Sequence, residues 1–197
     1  MGLFGPSKAE MWQKLSAELG GDYLKSWRGD RVQVSHGEWT ITLDTFVVMA
    51  GRTPVVFTRM RAPYVAESGF RFSINRRNIL RDLAAWFGAE DIEVGDAEFD
   101  EAFVIKSNDE ARVRQLFASQ RLRDLLNEQK SLALKVKDDE GWLGAKFPAG
   151  ADELYFAVAG IIKDLDRLKG LYDLFAETLD QLVKIGSADR GAPAVTL

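Results

Sequence analysis

The chain has 197 residues, no cysteine and a formal net charge of −4. Its length allows an ample core without disulfides, and the missing cysteine excludes thiolate nucleophiles, iron–sulfur clusters and cysteine zinc sites. The longest apolar run, residues 46–51, is far shorter than the roughly 20 residues that span a bilayer, and the acidic charge balance disfavours nucleic acid as a partner.

The first half of the chain predicts a short helix followed by a meander of strands. Ser7 and Glu10 form a capping box at the start of the helix, and Gly20 marks its end. From residue 31 apolar and polar residues alternate, which is the period of antiparallel strands joined by turns. The expected strands lie at 31–35, 39–45, 46–50, 55–62 and 70–74, and turns or loops lie at 36–38, 51–54 and 62–69. A second helix is predicted over 78–87.

The second half predicts short helices, further strands and one long helix. Ser107 and Glu110 form a second capping box after a short strand near 102–105, and Ser119 begins another helix. Three strands follow at 132–136, 142–147 and 153–159, the first two joined by a turn at 138–141. The last helix, residues 161–185, carries an apolar stripe at spacings of four and three: Ile161, Leu165, Leu168, Tyr172, Phe175, Leu179 and Leu182. Leu171 and Leu174 widen this stripe, which favours a core helix over the alternative, a coiled-coil element of a homo-oligomer.

Strands in hairpin-sized groups indicate an α+β fold with antiparallel sheet, in two strand-rich halves, with the long C-terminal helix packed on the sheet. We expect an N-terminal helix within 1–22 and one α+β domain over 23–186, or two lobes at about 23–90 and 91–186. Residues 187–197 are expected to form a flexible tail.

Charge is segregated along the chain. Residues 52–81 contain seven arginines and one acid, whereas residues 90–101 contain seven acids and no base. One interpretation is that the two runs neutralise each other on the folded surface. The sharper hypothesis is an anion or partner site made by Arg59 and Arg61, on one face of a strand, and Arg71 on a neighbouring strand, because arginine binds carboxylate and phosphate in a bidentate manner.

The acidic run invites a metal hypothesis. Asp91, Glu93 and Asp96 are the candidate ligands of a carboxylate-based, metal-dependent hydrolase, but their spacing does not match a calcium-binding loop. A turn before Phe99 and Phe103 explains the same stretch, because the spacing of four places both rings on a core. We therefore predict no metal and no cofactor.

The sequence contains no recognisable catalytic motif that would predict an enzyme. His36 is the single histidine and lies next to Gly37 between two strands, which is typical of a turn. The sequence contains no phosphate-binding glycine motif and no zinc-protease motif.

Several segments resemble a bacterial family classified as a domain of unknown function. The stretch FTRMRAPY resembles a segment of that family. So does the acid-x-x-Phe-acid-x-x-Phe motif that is followed by the start of a helix. Asp96, Phe99, Asp100, Phe103 and Asp109 occupy its positions, and the resemblance covers about residues 54–186. It implies no activity or cofactor. Some members look tethered to membranes by N-terminal helices, and we expect no such helix in this chain.

These observations predict a cytoplasmic, non-catalytic binding module. Its arginine-bearing sheet face is expected to hold a small anion or an acidic partner protein. The alternatives are the metal-dependent hydrolase and a self-associating structural protein that uses the last helix.

Overall fold

A computed structural model of the protein describes residues 6–27, 29–77, 90–137, 147–195 and 197. In chain order its elements are α1 (Lys8–Leu19), β1 (Asp22–Leu24), β2 (Arg31–His36), β3 (Trp39–Ala50), β4 (Thr53–Ala66), β5 (Phe72–Arg76), α2 (Ala97–Ala102), β6 (Phe103–Ser107), α3 (Glu110–Leu116), α4 (Gln120–Glu128), β7 (Ala133–Lys137), β8 (Ala151–Ala159), α5 (Leu165–Lys184) and β9 (Ala188–Asp189). The helix predicted over 78–87, the turn at 138–141 and nearly all of the strand at 142–147 lie outside the described residues.

The described strands form one antiparallel sheet, which confirms the predicted α+β class. Its order is β1-β2-β3-β4-β8-β7-β5-β6, and β9 pairs with the end of β4. The two strand-rich halves of the sequence pair along the β4–β8 ladder, which runs from Thr58–Val158 to Val65–Ala151, and β5 of the first half lies between β7 and β6 of the second. Both halves therefore share one sheet.

One face of this sheet is apolar and carries the core. A row of side chains directly opposite one another crosses seven strands on that face: Val32, Leu43, Met60, Phe156, Leu134, Ile74 and Ile105. All seven side chains are buried, because the helices pack on them. The ladder register thus turns the period-two pattern of separate strands into a continuous apolar surface.

The long helix α5 lies on this face with its apolar stripe inward. Leu168, Leu171, Leu174, Phe175, Leu179 and Leu182 are fully buried within the same chain. This confirms the predicted core helix. The alternative, self-association through this stripe, is not supported, because the stripe is already buried against the chain's own sheet. The helix starts later than predicted, at the N-cap Asp164, so the exposed Ile161 precedes it.

Helix α1 confirms its predicted caps. The Ser7 hydroxyl accepts a hydrogen bond from the Glu10 amide, the Glu10 carboxylate accepts one from the Ser7 amide, and Gly20 is left-handed with φ of 66°. The Trp12 indole N–H donates to the carbonyl of Ile162, 3.2 Å away, which ties α1 to the segment before α5.

Two local predictions are wrong. Asp109, rather than Ser107, is the N-cap of α3 and accepts from the Arg112 amide, because Ser107 still belongs to β6. The loop predicted over 62–69 is mostly strand, since β4 continues to Ala66. Pro63 is tolerated because the ladder with β3 ends two residues earlier, at Arg61, so the proline removes no donor from it.

The predicted tail begins with packed residues. Ser187 and Ala188 are buried, and β9 pairs with Val65 and Ala66 of β4. At the other end of this segment, the carbonyl oxygen of Leu197 accepts a hydrogen bond from Arg31 Nη1. The segment therefore contacts both β4 and β2.

Candidate functional site

The opposite face of the sheet is polar. One residue along from the apolar row, a second row crosses the same seven strands: Gln33, Thr42, Arg61, Tyr155, Lys135, Ser73 and Lys106. Successive side chains of a strand point to opposite faces, so this row and its neighbours Asp44 and Arg59 form what we call the polar face. It brings together two of the predicted site residues.

Arg59 and Arg61 converge on one carboxylate, that of Asp44. Arg59 binds it in a bidentate manner, with Nε 2.8 Å from Oδ1 and Nη2 2.7 Å from Oδ2. Arg61 Nη2 lies 2.9 Å from the same Oδ2. Asp44 stands directly opposite Arg59 in the β3–β4 ladder, so the hairpin register itself creates this cluster, which we call the arginine pair.

Both guanidinium groups are held in place from a second direction. The Arg59 guanidinium stacks over the Phe46 ring, 4.9 Å from its centroid. Burial opposes the charge of Arg59, but the hydrogen bonds and charge of Asp44 outweigh it and raise the pKa of the guanidinium. Arg61 lies 3.8 Å from a carboxylate oxygen of the buried Glu153.

The arginine pair has more donors than Asp44 uses. A guanidinium carries five N–H donors, and three hydrogen bonds join the two groups to Asp44. Arg61 Nε is buried and has no hydrogen-bond partner in the described part of the chain. The side chains of Arg59 and Arg61 keep 23% and 13% of their surface exposed.

A groove of about 280 Å³ lies near the arginine pair, whose own residues do not line it. Thr42, which stands opposite Arg61, lies on its floor, and the C-terminal segment contributes one wall. The lining residues are Gln33, Glu38, Thr40, Thr42, Pro63, Ala192, Pro193, Val195 and Leu197. The amide of Gln33 donates to the hydroxyl of Thr42, 3.3 Å away. The groove thus offers amide and hydroxyl groups and the carboxylate of Glu38, and Thr42 links it to Arg61.

Arg71, the third predicted site residue, lies elsewhere. Its Nη1 binds Asp152, which stands opposite the core residue Tyr64 and therefore belongs to the apolar face. Burial and the charge of Asp152 raise the pKa of the Tyr64 phenol above its ordinary range. The structure does not bring Arg71 together with Arg59 and Arg61.

The three candidate metal ligands have separate surroundings. Asp91 accepts hydrogen bonds from Arg77 Nη2 at 2.6 Å and from the Ile105 amide at 2.8 Å. Asp96 is the N-cap of α2 and lies 3.3 Å from Arg123. Glu93 lines a shallow surface depression. Across the described ranges, no three acids or histidines cluster as a metal site would require.

Neutralisation between the basic and acidic runs is limited to one described pair, Arg77 with Asp91. Arg76 instead donates to the carbonyls of Asn127 and Gln129, which end α4. The two runs are therefore used mostly for separate local contacts.

His36 is a turn residue that also contacts the last helix. It ends β2, its ring stacks on Trp39 at 5.9 Å, and its Nε2 lies 3.0 Å from Asp180 of α5. The predicted core pair is present as well, because the Phe99 and Phe103 rings lie 4.7 Å apart.

Asp44 is the site residue that sequence reasoning missed. The signal was available in the turn Gly51-Arg52. Counting outward from this turn pairs Ala50 with Thr53 and, six residues further back, Asp44 with Arg59. The groove could not be found in this way, because its wall comes from the other end of the chain.

Comparisons with known proteins give limited information. No family model matches the chain, and no curated protein sequence matches it either. The resemblance to the bacterial domain family therefore stays a prediction. In the parts of the chain that the structure describes, no helix has both the length and the apolar character needed to cross a membrane.

One solved structure is similar in fold. It is the mycobacterial trehalose monomycolate transport factor A, TtfA, with a TM-score of 0.52 and 8% sequence identity. The match covers 96% of this chain and 98% of the solved chain. At that identity the likeness shows a shared fold, and the arginine pair must be interpreted from its own geometry.

Proposed function

We propose that the protein is a non-catalytic binding module whose polar face holds a carboxylate or phosphate group at the arginine pair. The observation that carries this is the surplus of guanidinium donors over the single carboxylate that Arg59 and Arg61 share. Guanidinium groups bind carboxylate and phosphate through paired hydrogen bonds, so the unused donors suit either ligand.

The neighbouring groove supports the proposal. It begins at Thr42, beside Arg61, and its hydroxyl and amide groups can hold the remainder of a polar ligand. A small anion would occupy the arginine pair alone. An acidic segment of a partner protein would extend from it along the groove. The fold likeness is compatible with a binding role, since the solved protein is named a transport factor.

Calorimetric titration with two probes tests the proposal. Pyrophosphate represents a small anion, and a hexaglutamate peptide represents an acidic segment. We expect Arg59→Ala to weaken binding of whichever probe the protein takes by about tenfold, which corresponds to the loss of one charged hydrogen-bonding group. Arg59 is the better choice because Arg61 also lies beside the buried Glu153.

Arg114→Ala is the matched control. Arg114 is an exposed arginine on α3 that pairs with Glu110 across one helical turn, so it has the same charge and lies away from the polar face. Equal losses in the two variants would show binding by general charge and would overturn the proposal. No binding of either probe to the unaltered protein would overturn it as well.

A further inference from the structure

The loop before β2 and the β3–β4 hairpin lie at the same end of the sheet. Val32 of β2 pairs with Leu43 of β3, and the two strands run in opposite directions. The loop at 25–30, which precedes β2, therefore lies at the end toward which β3 continues. From there β3 and β4 extend as a pair to the turn at Gly51, beyond the last pair with β2.

The segment between β8 and α5 lies at this end as well. β8 is antiparallel to β4 and ends beside the hairpin, where the Gly160 amide donates to the Val56 carbonyl at 2.8 Å. The Thr58 hydroxyl donates in turn to the Gly160 carbonyl. We call the three segments together the hairpin end, which consists of residues 25–30, 46–57 and 160–164.

The hairpin end carries all the large apolar side chains that are exposed within the described residues. Trp27 has an exposed fraction of 89%, Met49 of 60% and Val47 of 58%. Val48 and Ile161 are each 43% exposed. Large apolar side chains gathered at one surface are typical of an interaction site, and tryptophan favours the boundary between apolar and aqueous layers. The hairpin end therefore has the apolar character of a contact surface.

Cations accompany these apolar side chains and lack acidic partners. Lys25, Arg52 and Lys163 are exposed, one in each of the three segments. Across the ranges that the structure describes, no acid forms an ion pair with any of them. The three side chains are therefore available to an anionic partner.

The acids of the hairpin end do not offset these cations. The three segments contain four basic residues and two acids, Asp30 and Asp164. Asp30 binds Lys8 and accepts a hydrogen bond from the Tyr23 phenol at 2.7 Å, and Asp164 caps α5 by accepting from the Arg167 amide. Both acids are thus engaged within the chain. The hairpin end is positively charged toward solvent, although the whole chain has a net charge of −4.

We propose that the hairpin end docks on an anionic membrane surface. Its apolar side chains enter the interface between lipid headgroups and acyl chains, while Lys25, Arg52 and Lys163 contact the lipid phosphates. The contact is shallow, because β3 beyond Leu43 has no ladder partner on its outer side in the described chain and its backbone groups need water or headgroups. A bilayer supplies both an apolar layer and a dense negative charge. A second copy of the chain does not, since the acids of its hairpin end are engaged.

This inference does not rest on the proposed function, because the arginine pair is not part of the hairpin end. Arg59→Ala separates the two sites. It should weaken the binding of pyrophosphate or hexaglutamate and leave binding to vesicles nearly unchanged. Loss of vesicle binding in Arg59→Ala would assign the lipid phosphate to the arginine pair and would contradict docking through the hairpin end.

Co-sedimentation with vesicles tests the charge of the surface. The unaltered protein should bind phosphatidylglycerol vesicles and bind phosphatidylcholine vesicles much less. Arg52→Glu should weaken binding to phosphatidylglycerol at least about tenfold, because it replaces an attractive charge with a repulsive one. Arg114→Glu is the matched control, since Arg114 is an exposed arginine on α3, outside the hairpin end. Equal binding to the two lipids, or equal losses in the two variants, would overturn the proposal.

Trp27 tests the apolar part of the surface. Trp27→Ala should weaken binding to phosphatidylglycerol vesicles by about tenfold, because it removes the most exposed apolar side chain. Trp27→Phe should keep most of the affinity but lose most of the blue shift of tryptophan emission that vesicles cause, since Trp12 and Trp39 are buried.

Two outcomes contradict the proposal at this point. Unchanged affinity in Trp27→Ala would show attraction by charge alone. An unaltered protein that does not sediment with phosphatidylglycerol vesicles excludes membrane docking, including the case in which another protein covers the hairpin end.

Discussion

The apolar row and the polar row cross the same seven strands one residue apart. The apolar row forms the core, whereas the polar row contributes to the candidate site. The apolar row, from Val32 to Ile105, is buried under the helices. The polar row, from Gln33 to Lys106, contains Arg61, which binds Asp44 in the arginine pair. A shift of one residue in register would exchange the two, because side chains alternate between the faces of a sheet.

The comparison teaches that the same ladders serve both stability and the site. The β3–β4 register that seats Leu43 against Met60 also sets Asp44 against Arg59. The core therefore positions the arginine pair. The pair itself contributes little buried apolar surface to the stability of the fold. Substitutions on the two rows should differ in size and in the property they change.

The largest effect is expected on the apolar row. Phe156→Ala should lower the free energy of unfolding by about 3–5 kcal/mol, since Phe156 is fully buried and its truncation leaves a cavity. Urea unfolding followed by circular dichroism measures the change. Tyr155→Ala, the neighbouring change on the polar row, should cost clearly less, and equal costs would remove the distinction between the rows.

The next effect concerns the polar row itself. Arg61→Ala should lower the free energy of unfolding by about 3 kcal/mol, because it removes the charged hydrogen bond to Asp44 and one of the groups that face the buried Glu153, 3.8 Å away. Arg114→Ala on the surface of α3 should cost less than about 0.5 kcal/mol. If Arg61→Ala is as mild as Arg114→Ala, then Arg61 does not stabilise the buried acid.

A smaller effect is expected from a polar group within the apolar face. The Thr58 hydroxyl donates to the Gly160 carbonyl at 2.7 Å and accepts from the Ile162 amide at 2.9 Å. Thr58→Val keeps the shape and leaves both backbone groups unpaired, so we expect a loss of about 2 kcal/mol by thermal unfolding. Thr58→Ser, which retains the hydroxyl, should recover part of that loss. An unchanged melting temperature in Thr58→Val would show that the hydroxyl is dispensable.

Most of the fold could be predicted from the sequence, for physical reasons visible in particular elements. The capping box of Ser7 and Glu10 begins α1, and the stripe from Leu168 to Leu182 covers the sheet. The predictions were weaker where several local signals competed. Ser107 has the composition of a cap, but its place in the β6 ladder prevails and Asp109 caps α3 instead.

The site was only partly predictable. Alternation placed Arg59 and Arg61 on one face of a strand, and the structure agrees. It could not show that Arg71 pairs with Asp152 toward the other face, because that contact joins residues far apart in the chain. Nor could it show the groove, whose wall is formed by residues 192–197.

The most direct test of the account is the affinity of Asp44→Asn for pyrophosphate and hexaglutamate. The carboxylate of Asp44 lies beside the unused guanidinium donors and repels an anionic ligand, so its neutralisation should strengthen binding by about tenfold. Combined with Arg59→Ala, the gain should disappear, which separates a specific site from a general change in charge. A gain in affinity specific to the single variant supports the arginine pair as the binding site; an unchanged or weaker affinity, or a gain that persists without Arg59, contradicts it.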